Sequence, residues 1–202
     1  MKKNRKKSMI FVLILTLLLV VLNLKNIVKT FYPLNYKEYI ETYSNEYNLN
    51  PLFVAAVIKA ESNFQVDAVS KRDARGLMQI TPSTAKWAAS KLRIDNFDIN
   101  SLYDPELNIK IGCWYLNDLC KEFGTDTTVI LAAYNGGRGN VNKWLSNKEY
   151  SKDGKKLDYI PFKETDQYVK KIEVNYNIYK FLYGQDGDYI KFLKLVFSKF
   201  LL

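Results

Sequence analysis

The sequence predicts an all-α domain carried behind an N-terminal transmembrane helix. Three capping residues are each followed directly by proline, at Asn50-Pro51, Thr81-Pro82 and Asp104-Pro105, and each pair marks a helix start. No segment of strand length alternates convincingly between apolar and polar residues. Met9 to Leu24, MIFVLILTLLLVVLNL, is apolar almost throughout and follows the basic cluster Lys2, Lys3, Arg5, Lys6 and Lys7.

Taken in order, residues 1–24 read as a signal anchor. No small-x-small cleavage site follows the apolar run, which continues as Lys25-Asn26-Ile27-Val28, so an uncleaved anchor fits better than a removed signal peptide. The basic flank stays in the cytoplasm, which places the chain after Lys25 outside a single-pass cell membrane span. Residues 25–34 read as a linker ending near Pro33. The domain proper covers 35–184. Tyr36–Asn48 is amphipathic, and Leu52–Ala60 is apolar on nearly every face and predicts the central buried helix. Pro105–Phe123 and Thr127–Ala133 predict further helices, with stops at Gly124, Gly136 and Gly184. Residues 146–160 are polar and read as a loop, and Glu164–Tyr183 as a long amphipathic helix. Residues 185–202 end in DYIKFLKLVFSKFLL, a basic amphipathic tail that either packs on the domain or meets a membrane surface or a partner in an envelope machine.

Composition narrows the chemistry. The 202 residues suit one compact domain with short extensions, and 48% hydrophobic with 14% aromatic residues supplies a core. The net charge of +9 falls to about +4 once the N-terminal cluster is set aside, consistent with an anionic polymer nearby. No basic stripe interleaves with aromatic residues, so nucleic acid is not an expected partner. The chain has no histidine, which removes Ser-His-Asp and Cys-His catalysis and most zinc sites. Cys113 and Cys120 fall on one predicted helix about 10 Å apart, too far for a disulfide, and read as packing residues. Trp87, Trp114 and Trp144 read as core because each sits in a helical pattern.

Glu61 is the anomaly. It ends the most apolar helix, behind Val57 and Ile58, where apolar surroundings and the negative end of the helix dipole both disfavour an ionised carboxylate. A carboxyl group placed against both rules is a catalytic candidate, unless it escapes to water or pairs with a buried arginine.

Four stretches then occur in order: ESNFQVDAVSKRDARGLMQITPSTA from Glu61, DPELNIKIGCWYLNDL from Asp104, LAAYNGGRGNVNKWL from Leu131, and YIPFKETDQYVKKI from Tyr159. Together they resemble the catalytic domain of the soluble lytic transglycosylase family, which is similar in fold to goose-type lysozyme. The resemblance covers roughly residues 36–184. It implies a lysozyme-like helical domain acting on peptidoglycan glycan strands, with Glu61 as the single catalytic acid and base. It further implies that Ser70, Gln79, Tyr134, Asn135, Glu164 and Tyr168 contact substrate or close the site. Ser70 reads equally as a loop cap, and Met78 of Gly76-Leu77-Met78-Gln79 as core filler. Asp166 departs from the basic residue common in the family.

The implied reaction cuts the β-1,4 bond between N-acetylmuramic acid and N-acetylglucosamine and closes a 1,6-anhydro ring, with no cofactor and no metal. Two alternatives remain at this stage. One is a muramidase that uses water, in which Asp67 or Asp73 would supply a second carboxylate. The other is a non-catalytic wall-binding scaffold.

Overall fold

The computed structural model describes residues 2–184, and these divide after Pro33 into two units. The first is the helix α1 (Lys2–Phe31). The expected linker over 25–34 is therefore helical as far as Phe31. No glycine or proline interrupts Lys25 to Tyr32, so nothing stops the helix before Pro33. Met9–Val20 and Leu22–Phe31 meet at a bend of 54°. Neither piece alone is long and apolar enough to cross a membrane, while the two together have the length and composition. The expected C-terminal amphipathic tail lies outside the described residues.

The second unit is helical. It comprises α2 (Lys37–Glu46), α3 (Pro51–Glu61), α4 (Pro82–Leu92), a 3-10 turn (Ile99–Tyr103), α5 (Pro105–Phe123), α6 (Thr127–Gly136), α7 (Arg138–Ser146) and α8 (Lys163–Tyr183). The three Xaa-Pro starts are built as their chemistry requires. The Asn50 side chain accepts from the amides of Leu52 and Phe53. Thr81 accepts from Thr84, and Asp104 from Leu107 at 2.8 Å. Each cap contributes about 1 kcal/mol. Asp126 caps α6 in the same way through Val129, without a proline to advertise it.

The core is centred on α3, where Val54 to Ile58 are all fully buried. Two helices share the work of enclosing it: α8 packs along α3, and α6 packs on α8 with Val129 to Ala133 buried. Because α3 is surrounded, its last residue is delivered into the interior rather than to the surface.

Two elements departed from expectation. Helix α7 follows Gly136-Gly137 directly. Its polar sequence buries only Val141 and Trp144, so little apolar periodicity marks it. The tryptophans also divide: Trp144 is buried at 6% exposure, whereas Trp87 and Trp114 are half-exposed. Helix α4 buries Ala85, Ala88 and Ala89, and Trp87 lies off that face.

Candidate active site

Glu61 is the last residue of α3 and is half-buried beneath α8. Tyr168, seven-tenths of the way back from the end of α8, donates its hydroxyl to Glu61 Oε1 at 2.6 Å. Burial dominates the electrostatics and pushes the Glu61 carboxyl from 4.5 up to about 7, against the opposing pull of the Tyr168 hydrogen bond and the Lys171 charge. Lys171 lies three residues after Tyr168, on the same side of α8, and donates to the Ala60 carbonyl at 2.6 Å. It thus holds the final turn of α3 while bringing a positive charge towards the carboxyl. No second carboxylate is among the groups that shift Glu61 among the described residues.

Tyr134 of α6 belongs to the same centre. Its hydroxyl donates to the Met78 carbonyl at 2.8 Å, and burial together with the nearby Glu61 and Tyr115 raises its pKa well above that of a free phenol. Tyr168 is shifted in the same direction by burial and by Glu61. Both phenols therefore stay protonated and act as donors near neutral pH.

The wall opposite α8 is the loop from Ala68 to Ile80, stitched by short backbone bonds such as Ser70 to Ala74 and Gly76 to Ala68, both at 2.9 Å. Only isolated bridges, with no named strand, occur here among the described residues. Gln79 takes a left-handed backbone with φ of 49°, and its amide donates to the Ala68 and Gly76 carbonyls, each at 3.0 Å. Its side chain therefore braces the loop. Met78 is fully buried and fills space left by Gly112, where a Cβ would sit 2.2 Å from the Met78 sulfur.

The remaining expected residues are placed less centrally. Ser70 is exposed, and its hydroxyl oxygen accepts from the amides of Arg72 and Ala74, the geometry of a loop cap. Asn135 accepts from Thr165 at 2.8 Å and so ties α6 to α8. Glu164 is exposed in the first turn of α8, one turn before Tyr168 and on the same side of the helix. Asp166 pairs with Lys170 at 2.7 Å. Asp73 is clasped by Arg75 at 2.9 and 3.2 Å, and Asp67 is exposed. Among the described residues, no group of three or more His, Cys, Asp or Glu side chains is placed to hold a metal ion.

Sequence reasoning missed the residues that hold the loop in place. Asn108 of α5 is fully buried; it accepts from the Met78 amide at 2.8 Å and donates to the Arg75 and Leu102 carbonyls. Ser62 is also buried and donates to the Leu77 carbonyl at 2.8 Å. The signal for Asn108 was a polar residue on the apolar side of α5, between Leu107 and Ile109. Lys171 could have been found from its helical spacing to Tyr168.

A family model described as the transglycosylase SLT domain matches residues 38–157. The chain belongs to this family. Within it, the chain is 33% identical over 155 residues to the soluble lytic murein transglycosylase of Escherichia coli, across 76% of this chain and 24% of that protein. It is 33% identical over 121 residues to the membrane-bound lytic murein transglycosylase C of Photorhabdus laumondii, across 55% of this chain and 34% of that one. The lytic transglycosylase Slt of Pseudomonas aeruginosa, solved as an inactive glutamate-to-glutamine mutant, superimposes with a TM-score of 0.67 and 29% identity, over 76% of this chain and 25% of that one. The chain thus spans about a quarter of the length of the soluble relatives it matches. The lysozyme-like fold expected from the sequence is that of this SLT family member. The family model ends before α8, which carries Tyr168 and Lys171.

Proposed function

We infer that the protein is a peptidoglycan lytic transglycosylase, with Glu61 as its acid and then its base. The observation that carries this reading is one carboxyl group, raised to about 7 and bonded to a phenol, with no second carboxylate perturbing it. Two-carboxylate hydrolysis divides acid and base between two groups. Here one group performs both roles, and a pKa near neutrality suits it to each.

Protonated Glu61 donates to the bridging oxygen as the bond from that oxygen to the muramyl anomeric carbon breaks. The muramyl N-acetyl group supports the carbon. Ionised Glu61 then removes the proton of the sugar's own 6-hydroxyl, whose oxygen bonds the anomeric carbon. A 1,6-anhydro end forms, the proton returns to Glu61, and no water is consumed. The intramolecular hydroxyl is favoured because its approach costs little further entropy. Tyr168 steadies the carboxylate between the two steps. Tyr134 and Gln79 hold the cleft wall, while Ser70, Asn135 and Glu164 lie where they would meet the flanking sugars.

The apolar N-terminal helix serves as a single-pass membrane anchor with the SLT domain outside the cytoplasm, supported by the basic cluster ahead of it and by membrane-bound relatives in the family. Digestion of purified peptidoglycan tests the chemistry. Muropeptides one water short and resistant to borohydride are expected. Reducible ends would mean a muramidase, and no release would mean a binding protein.

A further inference from the structure

Ring contacts continue outward from the catalytic centre. Tyr134 packs on Tyr115 with centroids 5.3 Å apart. Tyr115 meets Trp87 edge-on at 6.2 Å, and Trp87 meets Trp114 at 4.7 Å and 67°. The rings come from α6, α5 and α4, and all four keep part of their surface in solvent. Arg138, the first residue of α7, places its guanidinium 4.8 Å from the Trp87 ring centre and 5.7 Å from that of Tyr115. Asp118 holds it at 2.7 Å and Glu122 at 2.9 Å, and Tyr115 bonds to it as well.

Core building does not account for this cluster. Two tryptophans are left half in water where burial would have contributed on the order of 2 kcal/mol each, and α4 spends its buried face on alanines instead. The guanidinium is pinned between two carboxylates, so the rings beneath it are held in one arrangement. A rigid, half-exposed aromatic surface edged by fixed donors and acceptors matches the needs of a pyranose. The sugar's C–H face lies on the ring, and its hydroxyls and acetamide find polar groups already in position. Pre-organisation of this kind lowers the ordering cost of binding.

We propose that Trp87, Trp114 and Tyr115, edged by Arg138 and Asp118, form a distal saccharide subsite for an N-acetylated hexosamine of the same glycan strand that is cut at Glu61. This rests on the functional reading above and deepens it. The subsite lies two ring contacts beyond Tyr134, so it is reached by a strand and not by a single disaccharide seated at Glu61. It makes the enzyme favour long glycans over short fragments.

The test uses the full chain carrying Glu61→Gln, titrated calorimetrically with peptide-free glycan strands and, separately, with the N-acetylglucosaminyl-N-acetylmuramic acid disaccharide. Adding Trp87→Ala should weaken strand binding by about tenfold, as for loss of one anchoring aromatic contact. The ratio of strand to disaccharide affinity should fall with it, and Trp87→Phe should restore most of that ratio. Unchanged strand affinity would overturn the proposal. So would a parallel loss for both ligands with a lowered melting temperature, which would make the cluster a structural staple only. Cleavage of strands by the Glu61→Gln protein itself would instead sink the catalytic reading and leave the subsite result standing.

Discussion

Glu61 owes its chemistry to being ionisable where ionisation is costly. Replacement by Gln keeps the shape and removes the proton, so cleavage should fall by at least about a thousandfold while glycan binding persists. Muropeptide release and strand titration check the two halves. The acid must be protonated at the start, so kcat/KM should decline as pH rises through about 7. The Tyr168 bond favours the carboxylate, so Tyr168→Phe should move that decline to higher pH, which a pH–rate profile reads directly. The same shift has a stability consequence. With the folded carboxyl raised from 4.5 to about 7, its contribution is fully present below the unfolded value and is lost as pH rises through the folded one. The Gln variant should therefore gain roughly 3 kcal/mol on its parent between about pH 4 and about pH 8, measured by urea unfolding.

At the scale of elements, the cleft depends on a loop that has little secondary structure of its own. Asn108 supplies what a strand ladder would have supplied, bonding one amide and two carbonyls from inside α5. Asn108→Ala should cost about 3 kcal/mol and disturb Gln79, lowering both the urea midpoint and turnover. Gly76 stands where a left-handed φ of 73° is required and where a Cβ would lie 2.3 Å from Asn108 Nδ2 and from the Leu102 carbonyl. Gly76→Ala should destabilise by about 2 kcal/mol or more in the same assay. Helix starts were legible because their caps are local. Asn50, Thr81 and Asp104 each bond an amide two or three residues on, so neighbouring sequence suffices to find them. Helix α7 was not legible, since Val141 and Trp144 leave too short an apolar face to set a period.

At the scale of the whole molecule, one helix and one compact unit divide the labour. If α1 serves only as the anchor, a chain begun at Leu34 should move from the membrane fraction to the soluble fraction and still cut isolated peptidoglycan. Fractionation followed by a digestion assay checks both parts. The pairing of Glu61 with Tyr168 also belongs to this scale, for the two lie 107 residues apart and meet only because α8 packs along α3.

The sequence by itself determined the all-α class, the capped helix starts, the apolar N-terminal segment and the carboxyl group most out of place. Each of these is a matter of composition or of neighbours within a few residues. The tertiary structure alone decided that Lys171 and Tyr168 flank Glu61, that Asn108 carries the cleft loop, and that Trp87 and Trp114 stay half in water beside Arg138. Those contacts join distant stretches of chain. No local pattern encodes them, because they exist only once the helices have packed and burial has set which polar groups must find a partner.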